Sequence, residues 1–364
     1  MRRFRSLLIA GLVLLSLYLA AWPVPVDPVA WQAPEDRGLS GAFAANQALA
    51  GARAISLDAH EGPEDVTVGH DGALYATTDS GTILRIDRDA AVVSEFARAG
   101  GRPLGIETAS DGSLLIANAY SGIQRISPRG EVTVLLGEVD GKPLVYADDL
   151  AVSRDGIIYF SEASTKFGAE AWNGSYEASL LDILEHGGNG RVIAFDSRNN
   201  DVSVLVDGLN FANGVAISSD ERFLLIAETG SYRILRHWLR GPDAGTTEVI
   251  IDNLPGFPDN VNSGEEGRFW VGLVAPRDAK LDGLSDQPFL RKVVQRLPPF
   301  LRPSAVPSSH VIAISGDGDM LMSLQDPAAR YPAMTGVCET GERLYITRLF
   351  GHDLPYIDKA TLTR

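Results

Sequence analysis

Oxygen-bearing side chains recur in short polar turns along this chain, and their types suit a hard metal cation. The turns read Gly62-Pro63-Glu64-Asp65, Arg102-Pro103-Leu104-Gly105, Ala147-Asp148-Asp149-Leu150, Phe211-Ala212-Asn213-Gly214 and Pro258-Asp259-Asn260-Val261, with a weaker sixth at Thr335-Gly336. A single Asp or Asn in such a place is ordinarily a turn former. That explanation weakens when the same position supplies an oxygen donor in four of six repeats. Carboxylates gathered at one centre repel each other and hold their protons unless a cation neutralises them. No His or Cys stands at the matching positions, so the donor set of Glu64, Asp148, Asn213, Asp259 and Asn260 selects Ca²⁺ over zinc or copper.

The elements that must position these residues are short strands. Ala73 to Thr78 and Thr82 to Asp87 flank an Asp79-Ser80-Gly81 turn, and the phrase returns as Ser113 to Ala117 with Gly122 to Ile126. Later copies are Ile157 to Phe160, Arg222 to Ala227 with Tyr232 to Arg236, Arg268 to Gly272 and Arg343 to Thr347. Asp71-Gly72, Asp111-Gly112 and Asp155-Gly156 supply hairpin turns before the hydrophobic strands. Repeats of roughly 40–50 residues predict an all-β, six-bladed β-propeller, in which equivalent residues of successive innermost strands meet around a central channel. Two stretches interrupt the rhythm, residues 166–190 and 276–308, with helix-like segments at Tyr176 to Glu185 and Phe289 to Leu297. They are expected to lie on a face of the disc, as lids or as surface decoration.

Composition narrows the partners. The 364 residues carry a net charge of -15, which argues against nucleic acid. The single cysteine, Cys338, excludes an intrachain disulfide and reads as a small core residue. Basic residues precede an apolar run from Leu7 to Val24 that is long enough to span a membrane. Residues 1–24 are therefore expected to be a signal anchor with the remainder outside the cytoplasm, or a secreted protein if Ala20-Ala21 marks a cleavage point. Residues 25–54 read as a linker and 55–364 as the propeller. The six histidines fit no metal spacing, and His237 is expected to pack beside Trp238.

Several phrases carry a family resemblance: Gly101 to Gly105, Tyr159 to Phe167, Asn213 to Ala216, Ala227-Glu228-Thr229, Arg233 to Gly241, Phe257 to Asn260 and Ser323 to Pro327. From about residue 55 onward the chain resembles the calcium-dependent six-bladed propellers that include gluconolactonase/regucalcin, the paraoxonases and the strictosidine synthase-like proteins. It is most similar to the strictosidine synthase-like branch that contains the adipocyte plasma membrane-associated proteins. The resemblance implies a catalytic calcium on Glu64, Asn213 and Asp259, with Asn260 adjacent and Asp148 where paraoxonases have an Asn. It also implies a second, structural calcium on Asp65, Asp149 and a carbonyl near Ile106. Leu104 occupies the place of the paraoxonase channel histidine, so a histidine-assisted attack is not supported. Glu339 is the nearest counterpart of the strictosidine synthase glutamate, in what could be an ordinary strand.

The expected activity is calcium-dependent hydrolysis of a lactone or aryl ester, with Asp259 as ligand and general base. Leu104, Tyr146 and Phe211 near the mouth favour a small hydrophobic substrate. The alternatives are a non-catalytic, membrane-tethered binding propeller and a bond-forming synthase.

Overall fold

Apolar residues that alternate along short strands bury one face per strand, and a ring of twisted sheets closes a disc without leaving open edges. A computed structural model describes residues 2–88 and 92–362. Residue 1 of the expected anchor and residues 89–91, 363 and 364 of the expected propeller lie outside the described residues.

Six four-stranded antiparallel sheets surround the channel. Their innermost strands are Val66–Val68, Pro103–Thr108, Ala147–Val152, Ala212–Ile217, Gly256–Ser263 and Met334–Glu339, in blades 1 to 6. Blades 1 to 5 are built from consecutive strands. Blade 6 takes its outermost strand from Arg53–Ser56, which pairs antiparallel with Asp353–Asp358. The chain thus ties its two ends together in one sheet. Buried apolar clusters fill the seams between blades; one joins Val66, Leu74 and Leu84 of the first blade to Ile55, Tyr345 and Leu354 of the last.

The N-terminal helix α1 (Arg2–Ala21) is apolar and long enough to cross a membrane, and the rest of the protein leaves it uncovered. Within the insertions, α2 (Ser175–Glu185) follows the second strand of blade 3, while α3 (Ala279–Gly283) and α4 (Pro288–Arg296) follow the second strand of blade 5. In each blade the second strand runs back to the level where the first began: Ala147 pairs with Glu162, and Gly256 with Pro276. Both insertions therefore stand on the channel face where the innermost strands start.

The segment read as a linker crosses that face in contact with both insertions. Val29 N–H donates to the Glu185 carbonyl and Trp31 N–H to the Ser285 carbonyl, at 2.9 and 3.0 Å. Trp31 stacks on His186 with ring centroids 4.0 Å apart. Farther on, the Gln325 side chain donates to the Phe43 carbonyl, and Leu49 is buried against blades 5 and 6.

Candidate functional site

Each innermost strand opens with the same irregularity. The pairing register steps between Pro103 and Ile106, Ala147 and Leu150, Ala212 and Val215, Pro258 and Val261, and Met334 and Val337. Two residues per blade are thereby released from the ladder, and a bulge of this kind re-aims side chains. Blade 1 places Glu64 and Asp65 at the matching point, just ahead of Val66–Val68. The turns legible in the sequence are these bulges.

The first residue of each pair is Glu64, Leu104, Asp148, Asn213, Asp259 or Thr335, and all six are buried. Asn213 Nδ2 donates to Asp259 Oδ1 at 2.5 Å. Asn260 Nδ2 donates to Glu64 Oε1 and to the Glu64 carbonyl, both at 3.1 Å. Nine buried side-chain atoms lack a hydrogen-bond partner among the described residues, and four are oxygens of this ring: Glu64 Oε2, Asp148 Oδ2, Asn213 Oδ1 and Asn260 Oδ1. Buried polar atoms are ordinarily paired, so such a concentration of unmet acceptors has the chemistry of a cation cup.

Electrostatics agree. Burial, followed by Asp259 and Asp148, pushes the Glu64 carboxyl well above its ordinary range. Asp148 is raised by burial and by Asp259, and Asp259 is pushed up to about 7 by burial against the opposing Asn213 hydrogen bond. A divalent cation would reverse these shifts. Carboxylates alone do not suffice: among the described residues no three His, Cys, Asp or Glu side chains form a metal-holding group. A cation here would rest on the amide oxygens of Asn213 and Asn260 as well.

The second residue of each pair, Asn260 excepted, builds a different structure. In chain order these are Asp65, Gly105, Asp149, Gly214, Asn260 and Gly336, a glycine in every second blade. Asp65 Oδ2 accepts from Ile106 N–H at 3.0 Å, and Asp149 Oδ2 accepts from Val215 N–H at 2.8 Å. Asn262 Oδ1 accepts from Val337 N–H at 3.0 Å, so blades are tied in pairs. The glycines make room: a Cβ on Gly105 would stand 2.5 Å from Asp149 Oδ1, and one on Gly336 2.3 Å from Asn262 Oδ1. The remaining oxygens of the two acids are also engaged, Asp65 Oδ1 by Asn262 Nδ2 and Asp149 Oδ1 by Leu150 N–H. Asp65, Asp149 and Ile106 thus meet around hydrogen bonds, and none of the unpartnered oxygens lies on them. Burial pushes Asp65 up to about 7, and burial followed by the Asp65 charge raises Asp149 well above its ordinary range, as in the ring.

Two residues near the ring had no sequence assignment. Arg102 is buried beside the mouth, with Nε donating to Ser175 Oγ at 3.2 Å and Nη1 3.2 Å from an Asp79 carboxylate oxygen. Its charge opposes the upward shift of Asp148 and of the Tyr146 phenol. Its position three residues before Gly105 in the blade 2 turn was the available signal. Glu107 stands lower on the same strand, where burial and Asp65 push it up to about 8.

Over the mouth, Leu104, Tyr146 and Phe211 form one apolar cluster with Phe167, Leu181 and Leu184 of the blade 3 insertion and with Val26 of the N-terminal segment. Tyr146 meets Phe211 edge to face at 5.3 Å, and its hydroxyl donates to the Ser175 carbonyl. The channel is roofed by apolar side chains. Glu339 ends the innermost strand of blade 6, where Trp270 Nε1, Glu265 N–H and Lys359 hold its carboxylate. It lies at the opposite end of that strand from Thr335. His237 donates to or accepts from Thr247 Oγ1 at 2.9 Å and, as a strand neighbour of Trp238, faces the other way.

Comparison with known proteins decides the family. The chain is 31% identical over 361 residues to the adipocyte plasma membrane-associated protein of Bos taurus, spanning 93% of this chain and 85% of that one. The chain belongs to the strictosidine synthase-like family, in the branch of those proteins. The strictosidine synthase family matches residues 148–242, and the strictosidine synthase-like N-terminal family matches residues 41–86. Strictosidine synthase-like 10 of Arabidopsis thaliana is 32% identical over 76% of this chain and 79% of its own length. Among solved structures, a gluconolactonase from Xanthomonas campestris superposes with a TM-score of 0.62 at 19% identity, over 92% of this chain and 98% of that one. A calcium-binding regucalcin from Agrobacterium tumefaciens gives 0.56 at 14%, over 85% and 94%. At these identities the likeness is one of fold, and it is the propeller the family shares.

Proposed function

We propose that this strictosidine synthase-like propeller is a calcium-dependent hydrolase of hydrophobic esters or lactones. The observation that carries the reading is the ring of unpartnered buried oxygens on Glu64, Asp148, Asn213 and Asn260. These residues and Asp259 would hold the ion. Bound Ca²⁺ supplies Lewis-acid polarisation of a substrate carbonyl and stabilises negative charge on its oxygen.

The chain's own groups do the rest. Asn213 holds the plane of the Asp259 carboxylate through Oδ1. Asp259 takes the proton from the attacking water as its oxygen bonds to the carbonyl carbon, and returns it to the departing alkoxide or phenolate when the ester C–O bond breaks. Leu104, Tyr146 and Phe211 line the approach and exclude bulk water. The likeness to a gluconolactonase and to a calcium-binding regucalcin supports a lactone substrate and calcium respectively.

A screen of aryl esters and lactones with the full chain, with Ca²⁺ and with EGTA, tests the reading. Turnover should depend on Ca²⁺, and Asp259→Asn should lower kcat by about 100-fold or more. Undiminished activity in EGTA together with undiminished activity of the variant would sink it. The apolar roof favours one further reading, a binding propeller whose cation only fastens the blades. It predicts that Ca²⁺ raises the melting temperature while no ester or lactone turns over.

A further inference from the structure

Helix α4 is built inside out for a soluble protein. Its two buried side chains are Arg291 and Arg296, whereas Phe289 and Leu290 are 57% and 39% exposed. Just beyond its end, Phe300 and Leu301 are 83% and 57% exposed. Within 288–306 every charged residue is basic (Arg291, Lys292, Arg296 and Arg302), in a chain of net charge -15. An outward apolar face with basic company is the composition of a segment lying in a bilayer interface.

The same helix grips the end of α1. Arg296 donates from Nε to the Trp22 carbonyl at 2.6 Å and from Nη1 to the Leu19 carbonyl at 2.9 Å. Tyr18 donates from its hydroxyl to the Arg296 carbonyl at 3.1 Å. The last carbonyls of a helix need such partners, and a basic side chain there also suits the helix dipole. Tyr18 and Trp22 are the aromatic residues expected where a spanning helix leaves the hydrocarbon. Arg296 therefore marks the level of the membrane surface. Phe300 follows it by four residues, within about 14 Å even for fully extended chain.

We propose that the channel-mouth face of the propeller rests on the bilayer that α1 enters, with Phe289, Leu290, Phe300 and Leu301 seated in the lipid as a second contact. Two features commit the occupant to lipid: the helix that bears the patch is fastened to the end of α1, whose apolar surface is uncovered, and the charged residues of 288–306 are all basic, with Lys292 paired to Asp27. The blade 5 insertion, the roof over the cup and α1 all stand on one face, so the mouth is turned toward the membrane. The inference rests on α1 being inserted, and is independent of which reaction the cup performs.

The test uses the full chain in vesicles of phosphatidylcholine and phosphatidylglycerol, with an environment-sensitive fluorophore on one introduced cysteine. Phe289→Cys and Phe300→Cys report the patch, Leu14→Cys reports α1, and Arg129→Cys reports the exposed turn on the opposite face of blade 2. Each variant also carries Cys338→Ser, so that the introduced cysteine is the single labelling site. Quenchers attached to lipid acyl chains should dim positions 289, 300 and 14 strongly and leave 129 bright. If 14 is quenched while 289 and 300 behave like 129, the second contact is wrong. If 14 also behaves like 129, α1 is not inserted and the proposal falls with it. Ester and lactone turnover, read separately in detergent, is unaffected by either outcome.

Discussion

Glu64, Asp148 and Asp259 hold protons more tightly than ordinary carboxyls because burial strips their water, and Glu64 and Asp148 also face the charge of Asp259. A carboxyl whose folded pKa is raised contributes stability that is complete below its unfolded pKa, near 4, and is lost as pH climbs through the folded value. For Asp259 that value is about 7, and the raised Glu64 and Asp148 carboxyls add to the loss. In EGTA the melting temperature should therefore fall by several degrees from pH 5.5 to pH 8. With Ca²⁺ present the ionised acids are the bound form, and the fall should shrink or vanish. Differential scanning fluorimetry across pH, with and without Ca²⁺, checks this; identical pH profiles in both conditions would refute the cup as a calcium site. At Asp149 the expectation differs, since its oxygens serve backbone donors. Asp149→Ala leaves the buried Val215 N–H unmet and should cost about 1–3 kcal/mol in a urea titration, whereas Asp149→Asn keeps an acceptor and should cost less.

The bulge at the head of each innermost strand makes the ring possible, and its second position explains an otherwise odd alternation of glycine. Gly214 packs against blade 5, where a Cβ would come 2.1 Å from the Val261 nitrogen and 2.5 Å from the Asn260 carbonyl carbon. Backbone cannot yield as the end of a side chain can. Gly214→Ala should destabilise by about 3 kcal/mol, read from the urea midpoint, and should displace Asn260 from the cup. The hydroxyls of Thr77 and Ser161 accept the N–H groups of Asp65 and Asp149, which the bulges take out of the ladder. These second-strand hydroxyls are part of the device, since a buried unpaired N–H is costly.

Closure governs the molecule as a whole. Arg53–Ser56 completes blade 6, so the segment before the first blade is structural as well as a route to α1. A chain beginning at Ala44 keeps Asn46, Leu49 and the closing strand, and should unfold cooperatively. A chain beginning at Leu57 leaves blade 6 with an open edge and should lose that cooperativity, as thermal melting and limited proteolysis will show. The same segment roofs the cup through Val26, which links the end of α1 to the channel.

The repeat length, the hairpin turns and the two interruptions were enough to read six blades and both insertions from sequence. The helix expected at Tyr176 to Glu185 runs Ser175–Glu185, and the one at Phe289 to Leu297 runs Pro288–Arg296. Glu64, Asp148, Asn213, Asp259 and Asn260 were legible as a set because each blade repeats its bulge at the same place in its own sequence. The partition between neighbours was not legible. Asp148 and Asp149 look alike in a turn, yet one presents an unmet oxygen to the ring and the other ties blade 3 to blade 4. Arg102 and Val26 were missed for the same reason, since their roles depend on Ser175, Asp79 and the mouth cluster, all distant in sequence. Local periodicity determines which strands form and where their bulges fall. Which way each released side chain points, and what meets it across the channel, is decided only when the ring closes and neighbouring backbones compete for the same space.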